Sequence, residues 1–218
     1  MPATLPVFYS FVRCPYAMRA RMALAVSAQP YRHREIVLRN KPAEMISISP
    51  KATVPVLELP NGQVLDESLD IATWALGIND PQQWLVPEIG YAHDMMELIA
   101  INDGPFKHHL DRYKYANRYG ADTDPQHHRG KAYEFLISLN TRLDEDENLF
   151  GGRPCLADFA IFPFVRQFAN TDNDWFDGQP LNHLQKWLQA HLSSDLFKHI
   201  MQKFPPWKPG DKEPQFPI

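Results

Sequence analysis

The chain has 218 residues and a mass of 25.2 kDa, room for one large domain or two small ones at about 150 residues each. Hydrophobic residues make up 44% and charged residues 22%, a balance that excludes disordered, collagen-like and disulfide-scaffold classes. The net charge of −4 is too weak and too mixed for nucleic acid or a membrane surface as partner.

No apolar run is long enough to span a membrane, and the opening MPATLPVFYS has neither a basic region nor a cleavable apolar stretch, so a cytoplasmic protein is expected. Residues 5–9 (LPVFY) predict a short strand, and beyond Pro15 the residues Ala17, Ala20, Leu24 and Ala28 recur at helical spacing. Residues 31–38 are compatible with a strand and 43–48 with a helical turn. Segments 54–59 and 63–66 flank Asn61-Gly62, a strong hairpin signal, and Ile71, Trp74, Ala75 and Ile78 then share one helix face. The order β-α-β-(α)-β-β-α within residues 1–78 is that of an α/β thioredoxin-like domain.

Asn79-Asp80-Pro81 opens a polar stretch ending at Pro87, which predicts a linker over 79–87. Beyond it the pattern is helical. Residues 88–118 are interrupted at Gly104-Pro105, where a kink or break is expected. Asp124-Pro125 supplies an N-cap and an N1 proline ahead of Ala132, Phe135, Leu139 and Leu143. Leu156 to Phe168 is apolar almost all round, as in a buried central helix, and Leu181, Leu184, Leu188 and Leu192 mark another helix. An all-α bundle over 88–218 follows. Its tail, 205–218, holds five of the 20 prolines and is expected to be extended over the surface or loose.

Charge is unevenly spread: residues 1–78 carry eight basic and six acidic side chains, residues 79–218 fourteen and twenty. Between 13 and 41, Arg13, Arg19, Arg21, Arg32, Arg34, Arg39 and Lys41 face only Glu35, which suits either a small anionic ligand or a solvated basic face. The two cysteines, Cys14 and Cys155, are not expected to bridge in a reducing compartment. Cys14 stands where a strand hands over to a helix. The helix dipole, with Arg13 and Arg19, favours its thiolate, and such settings lower a cysteine pKa from about 8.5 to roughly 3.5–7.5. Pro15 preorganises the first turn. Ala17 occupies the place of a second redox cysteine, so the site must act as a monothiol resolved by an external thiol, with glutathione the abundant candidate.

Cys155 opens an apolar helix and reads as structural. Tyr9 and Ser10 are alternative thiol-activating hydroxyls. His108-His109 and His127-His128 are adjacent pairs whose rings diverge, so no metal site is expected. Tyr113, Tyr115, Tyr119, Phe164, Phe168 and Trp207 offer an apolar lining for a second-substrate pocket, although core packing accounts for most of them.

Cys14-Pro15-Tyr16-Ala17, Val54-Pro55-Val56-Leu57, Asp66-Glu67-Ser68 and Leu156-Ala157-Asp158-Phe159, in this order, resemble a cytosolic glutathione transferase over essentially the whole chain, with a cysteine site similar to the omega class and to monothiol glutaredoxins. The resemblance implies that Pro55 is cis and that the Val54 backbone pairs with the cysteinyl part of glutathione. It implies that Glu67 meets the γ-glutamyl ammonium and Ser68 the α-carboxylate, although Ser68 could equally N-cap its helix. Lys41 or Arg39 is the candidate for the glycyl carboxylate. Cys155 stands where the family has a capping Ser or Thr before Asp158, which predicts a weaker cap.

The implied activity is glutathione-dependent thiol transfer, deglutathionylation or reductive cleavage of glutathione conjugates through Cys14, with glutathione as co-substrate and no metal. A small electrophile or disulfide is the implied second substrate, and a homodimer the implied assembly. A non-catalytic adaptor and a glutathione-dependent dehalogenase or isomerase are the alternatives.

Overall fold

The computed structural model describes residues 5–216. It divides the chain into two compact units, one reaching Gln82 and resuming at Ser194, the other Gln83–Ser193.

The first unit alternates strands and helices: β1 (Val7–Ser10), α1 (Pro15–Val26), β2 (Tyr31–Glu35), α2 (Ala43–Ile48), β3 (Val56–Glu58), β4 (Val64–Leu65) and α3 (Ser68–Ile78). The sheet order is β4-β3-β1-β2, with β1 parallel to β2 and the pairs β1–β3 and β3–β4 antiparallel. Parallel pairing needs a crossover, which α1 supplies. α3 packs against α1. The alternation of β2 (Tyr-Arg-His-Arg-Glu) puts Tyr31, His33 and Glu35 inside and leaves Arg32 and Arg34 half-buried.

The tail departs from expectation. α10 (Asp195–Ile200) packs on α1, and β5 (Gln215–Phe216) adds a fifth strand antiparallel to β2. Residues from Ser194 on therefore belong with the first unit, which corrects the assignment of all of 88–218 to the helical bundle. The cause is local chemistry in three places. Phe216 is 1% exposed against Tyr31, at 5.6 Å between ring centres, and Glu213 pairs with Arg32 and Arg34. The Arg34 guanidinium is sandwiched over Trp207, 4.0 Å from its ring centre. An acidic and aromatic strap thus covers the basic edge of β2, and Trp207 belongs here rather than to a second-substrate lining.

The second unit holds α4 (Ala92–Ile101), a π turn (Asn102–Phe106), α5 (Lys107–Lys114), α6 (Pro125–Arg142), α7 (Leu156–Ala169), α8 (Asn173–Asp177) and α9 (Asn182–Ser193). Gly104-Pro105 does not break the helix; the π turn carries the chain through it, absorbing the missing proline N–H. The expected linker is also partly anchored: Trp84 is fully buried and stacked on Phe159 at 3.6 Å, and Arg153 donates to the carbonyls of Gln83 and Val86 at 2.6 and 3.0 Å. Asp124 caps α6 by accepting the Gln126 N–H at 2.9 Å, with Pro125 at the first position, as the sequence predicts. α7 is the central helix, with Phe164 and Phe168 in its core.

Asp158 organises the start of α7. Wholly buried, it accepts the Cys155 and Leu149 N–H groups and the Trp187 indole N–H, each at 2.9 Å. Both halves of a capping box are present although Cys155 stands where a hydroxyl residue is expected: its sulfur meets the Asp158 N–H while the Asp158 carboxylate accepts the Cys155 N–H.

Candidate active site

Cys14 occupies the N-cap of α1, in extended conformation, with Pro15 at the first helical position. Its sulfur lies 3.7 Å from the Val54 carbonyl oxygen, and Val54-Pro55 is a cis peptide. The side chain packs on an apolar cluster that includes Tyr9, Ile36, Val54 and Val56. A sulfur anion here faces the partial positive charge of a helix start.

The loop that carries Cys14 is fixed from below. Val12 donates its N–H to the Glu35 carboxylate at 2.6 Å, and Arg21 donates to the Val12 carbonyl at 2.8 Å. Cys14 N–H closes a turn on the Phe11 carbonyl at 3.0 Å. Arg21 and Glu35 are 1% and 6% exposed. Burial lowers the Arg21 pKa, and Tyr31, Glu35 and Cys14 oppose that shift. His33 lies 3.2 Å from Glu35, and burial holds it neutral, below its ordinary pKa, against the pull of that carboxylate.

The N-terminus of α3 presents Glu67 and Ser68. Glu67, not Ser68, holds the N-cap position. Ser68 is the first helical residue, 3% exposed, and its hydroxyl oxygen accepts from the buried Arg19 guanidinium at 3.2 Å. Arg19 therefore links α1 to α3. Glu67 is exposed and paired with Lys51 at 2.5 Å; Lys51 also reaches Asp66 at 3.4 Å, and Asp66 accepts from Ser49 at 2.7 Å. Burial, the largest single influence on Lys51, lowers its pKa, but Glu67 and Asp66 together outweigh it and raise the net value.

The structure thus places Cys14 beside Val54 and the cis Pro55, and ties Ser68 at the start of α3 to α1 through Arg19. Arg39 sits exposed in the turn between Val37 and Asn40, with Lys41 half-buried just beyond. The basic run from 13 to 41 is largely structural: Arg19 and Arg21 are buried, Arg32 and Arg34 pair with the tail, and Arg13 stands exposed over Phe11. Sequence reasoning missed Lys51, and it missed Arg21 and Glu35 as supports, because these contacts join residues nine to 23 positions apart. The strand-period burial of Glu35 was the available signal.

The alternatives to Cys14 lie elsewhere. Tyr9 is buried with its hydroxyl bonded to Arg34, and burial raises its pKa. Ser10 is buried inside the sheet. Cys155 is fully buried, and burial followed by the charge of Asp158 pushes its thiol up to about 12. Neither cysteine forms a disulfide.

The sequence models of the glutathione S-transferase N-terminal and C-terminal domains match residues 8–83 and 108–190. Glutathione S-transferase omega-1 of Sus scrofa is 28% identical over 88% of this chain and 78% of that protein. A probable maleylacetoacetate isomerase of Caenorhabditis elegans is 28% identical over 73% of this chain and 77% of that protein. In three dimensions, a glutathione transferase family member from Pseudomonas fluorescens, solved with two glutathione molecules bound, aligns with a TM-score of 0.77 at 18% identity, covering 92% of this chain and 94% of that one. With both halves matched in order and the thioredoxin-like unit preceding the helical one, the chain belongs to the glutathione S-transferase family.

Proposed function

We propose that the protein is a glutathione-dependent thiol transferase with Cys14 as nucleophile. The observation that supports this reading is the Cys14 sulfur at the start of α1, 3.7 Å from the Val54 carbonyl, with the same helix bonded through Arg19 to the buried Ser68 at the start of α3. Val54 offers main-chain pairing to the cysteinyl unit of the tripeptide, and the α3 N-terminus with Ser68 offers donors to the γ-glutamyl carboxylate. Glu67 receives the adjacent ammonium in place of, or shared with, Lys51. Arg39 or Lys41 takes the glycyl carboxylate.

In the reaction, Cys14 thiolate attacks the glutathionyl sulfur of a mixed disulfide. A Cys14–glutathione disulfide forms and the substrate thiolate leaves. A second glutathione thiolate then attacks the glutathionyl sulfur, releasing oxidised glutathione and restoring the Cys14 thiolate. Only sulfur electrons change hands. A homodimer in the cytoplasm is the proposed setting.

A second reading, isomerisation through reversible thiol addition, draws on the similarity to the probable maleylacetoacetate isomerase. Intact-mass measurement after exposure to oxidised glutathione tests the first. One glutathione adduct is expected on the native chain and none on Cys14→Ser. An adduct that persists in the variant would remove Cys14 from the role, and no adduct on either, with no glutathione binding by calorimetry, would favour an adaptor.

A further inference from the structure

The adjacent histidines do not diverge as expected: the ring centres are 4.9 Å apart in His108-His109 and 5.4 Å in His127-His128, and α5 and α6 pack together and bring members of different pairs into contact. His109 Nδ1 and His128 Nδ1 are 2.8 Å apart. His108 supplies a third ring nitrogen, and the three donor atoms all lie within 4.8 Å of one another. His109 and His128 are half-buried and His108 is exposed, so the cluster opens to solvent on one side.

At 2.8 Å only one proton can sit between His109 Nδ1 and His128 Nδ1, and an ion that replaces it draws on the lone pairs of both rings. Neutral imidazole is the form that ligates a metal.

We propose that His109, His128 and His108 form a binding site for a divalent transition-metal ion, with His109 and His128 as the primary pair through Nδ1 and water completing the coordination. The 2.8 Å contact is that of a hydrogen bond between the two rings, and nitrogen ligands about 2.0–2.1 Å from a metal stand about 2.9–3.3 Å apart, so a small separation of the rings admits an ion of the kind that imidazole binds, Zn(II), Cu(II) or Ni(II).

Arg112 guards the site. It donates to His108 Nδ1 at 3.0 Å while its guanidinium lies over the Tyr119 ring at 4.4 Å. Its charge opposes a cation, and its hydrogen bond must break before His108 can ligate through that atom. The site shares no residue with the thiol chemistry, so either proposal stands if the other fails.

The test is calorimetric titration of Ni(II), with Zn(II) in parallel, into the untagged full chain carrying Cys14→Ser, which removes the accessible thiol. One ion per chain is expected in each titration. Binding should weaken at least about ten-fold in His128→Ala and in His109→Ala, and tighten several-fold in Arg112→Ala. Nickel binding that is absent, or unchanged in both histidine variants, overturns the site. Paramagnetic resonance of Cu(II) on the unsubstituted histidines reads the same site without relying on variants that must fold. Two or three equatorial imidazole nitrogens are expected, and their absence refutes the proposal.

Discussion

Replacing Glu35 by glutamine tests whether a buried ionic support holds the loop of the reactive thiol. Glutamine keeps the size of the side chain and can still accept the Val12 N–H, now at 2.6 Å from a carboxylate oxygen. The first loss is the difference between a charged and a neutral acceptor, about 1 kcal/mol. The second concerns Arg21, whose Nε and NH1 have no hydrogen-bond partner among the described residues and which is 1% exposed. Removing one member of a buried charge pair costs about 3–5 kcal/mol, an upper figure here because the two groups meet through the Val12 peptide rather than directly. A total of about 2–4 kcal/mol corresponds to a fall in Tm of about 5–12 °C for a chain of this size. Calorimetry reads that loss. The loop itself is read separately, by the rate of adduct formation between Cys14 and oxidised glutathione, expected to fall about ten-fold if the sulfur shifts by a fraction of an ångström or more. A Tm within about 1 °C of the parent together with an unchanged rate would refute the support.

Ser68→Ala removes the oxygen that Arg19 holds at 3.2 Å, leaving a buried guanidinium less satisfied. Glutathione affinity is expected to weaken and stability to fall by about 1–3 kcal/mol, measured by calorimetry and denaturant unfolding. Asp158→Ala strips the acceptor from three N–H groups and is expected to cost about 3–5 kcal/mol; a smaller loss in Trp187→Phe, of about 1–3 kcal/mol, isolates the indole bond. His33 and His191 are both held neutral by burial, below their ordinary pKa. The unfolded chain then binds more protons than the folded one below about pH 6.5, so their stabilising effect is complete above that pH and is lost as pH falls toward the folded values. Chemical denaturation between pH 7 and 5 should show stability declining, and a His191→Gln variant should decline less steeply. The Cys155 thiol, pushed up to about 12, is expected to resist alkylation at pH 8 in the folded chain, and Cys14→Ser should abolish labelling; mass mapping of the labelled residue decides.

The local grammar of the first unit was legible because it is written in short-range signals. Cys14-Pro15 marks a helix start and Asn61-Gly62 a hairpin, each read from neighbours in the chain, while 31–38 read only as compatible with a strand that in the structure stops at Glu35. Asp124-Pro125 marked α6 in the same way. The residues that hold the site in place obey no such grammar. Arg21 and Glu35 meet at Val12, and Lys51 meets Glu67, only because the chain has folded. A run of arginines reads as a surface in sequence, yet two of them lie in the core, each with an oxygen to bond. The proline-rich tail read as either extended over the surface or loose; it is extended, and its strand pairing was not legible because composition reports the cost of regular structure and not the gain from an open strand edge that it can cover.

That strap has a consequence for synthesis. The edge of β2 is completed by Gln215 and Phe216, some 180 positions further along the chain. Domains generally fold as units while the ribosome is still working, so the first unit to emerge here is the last that can be finished. Until the final stretch leaves the exit tunnel, β2 offers unpaired backbone groups and an uncovered Tyr31 to whatever strand passes by, the condition in which edges recruit other chains. A nascent or truncated product lacking its end would therefore be prone to stick to its neighbours, and the order of translation, reversed by circular permutation, would relieve it.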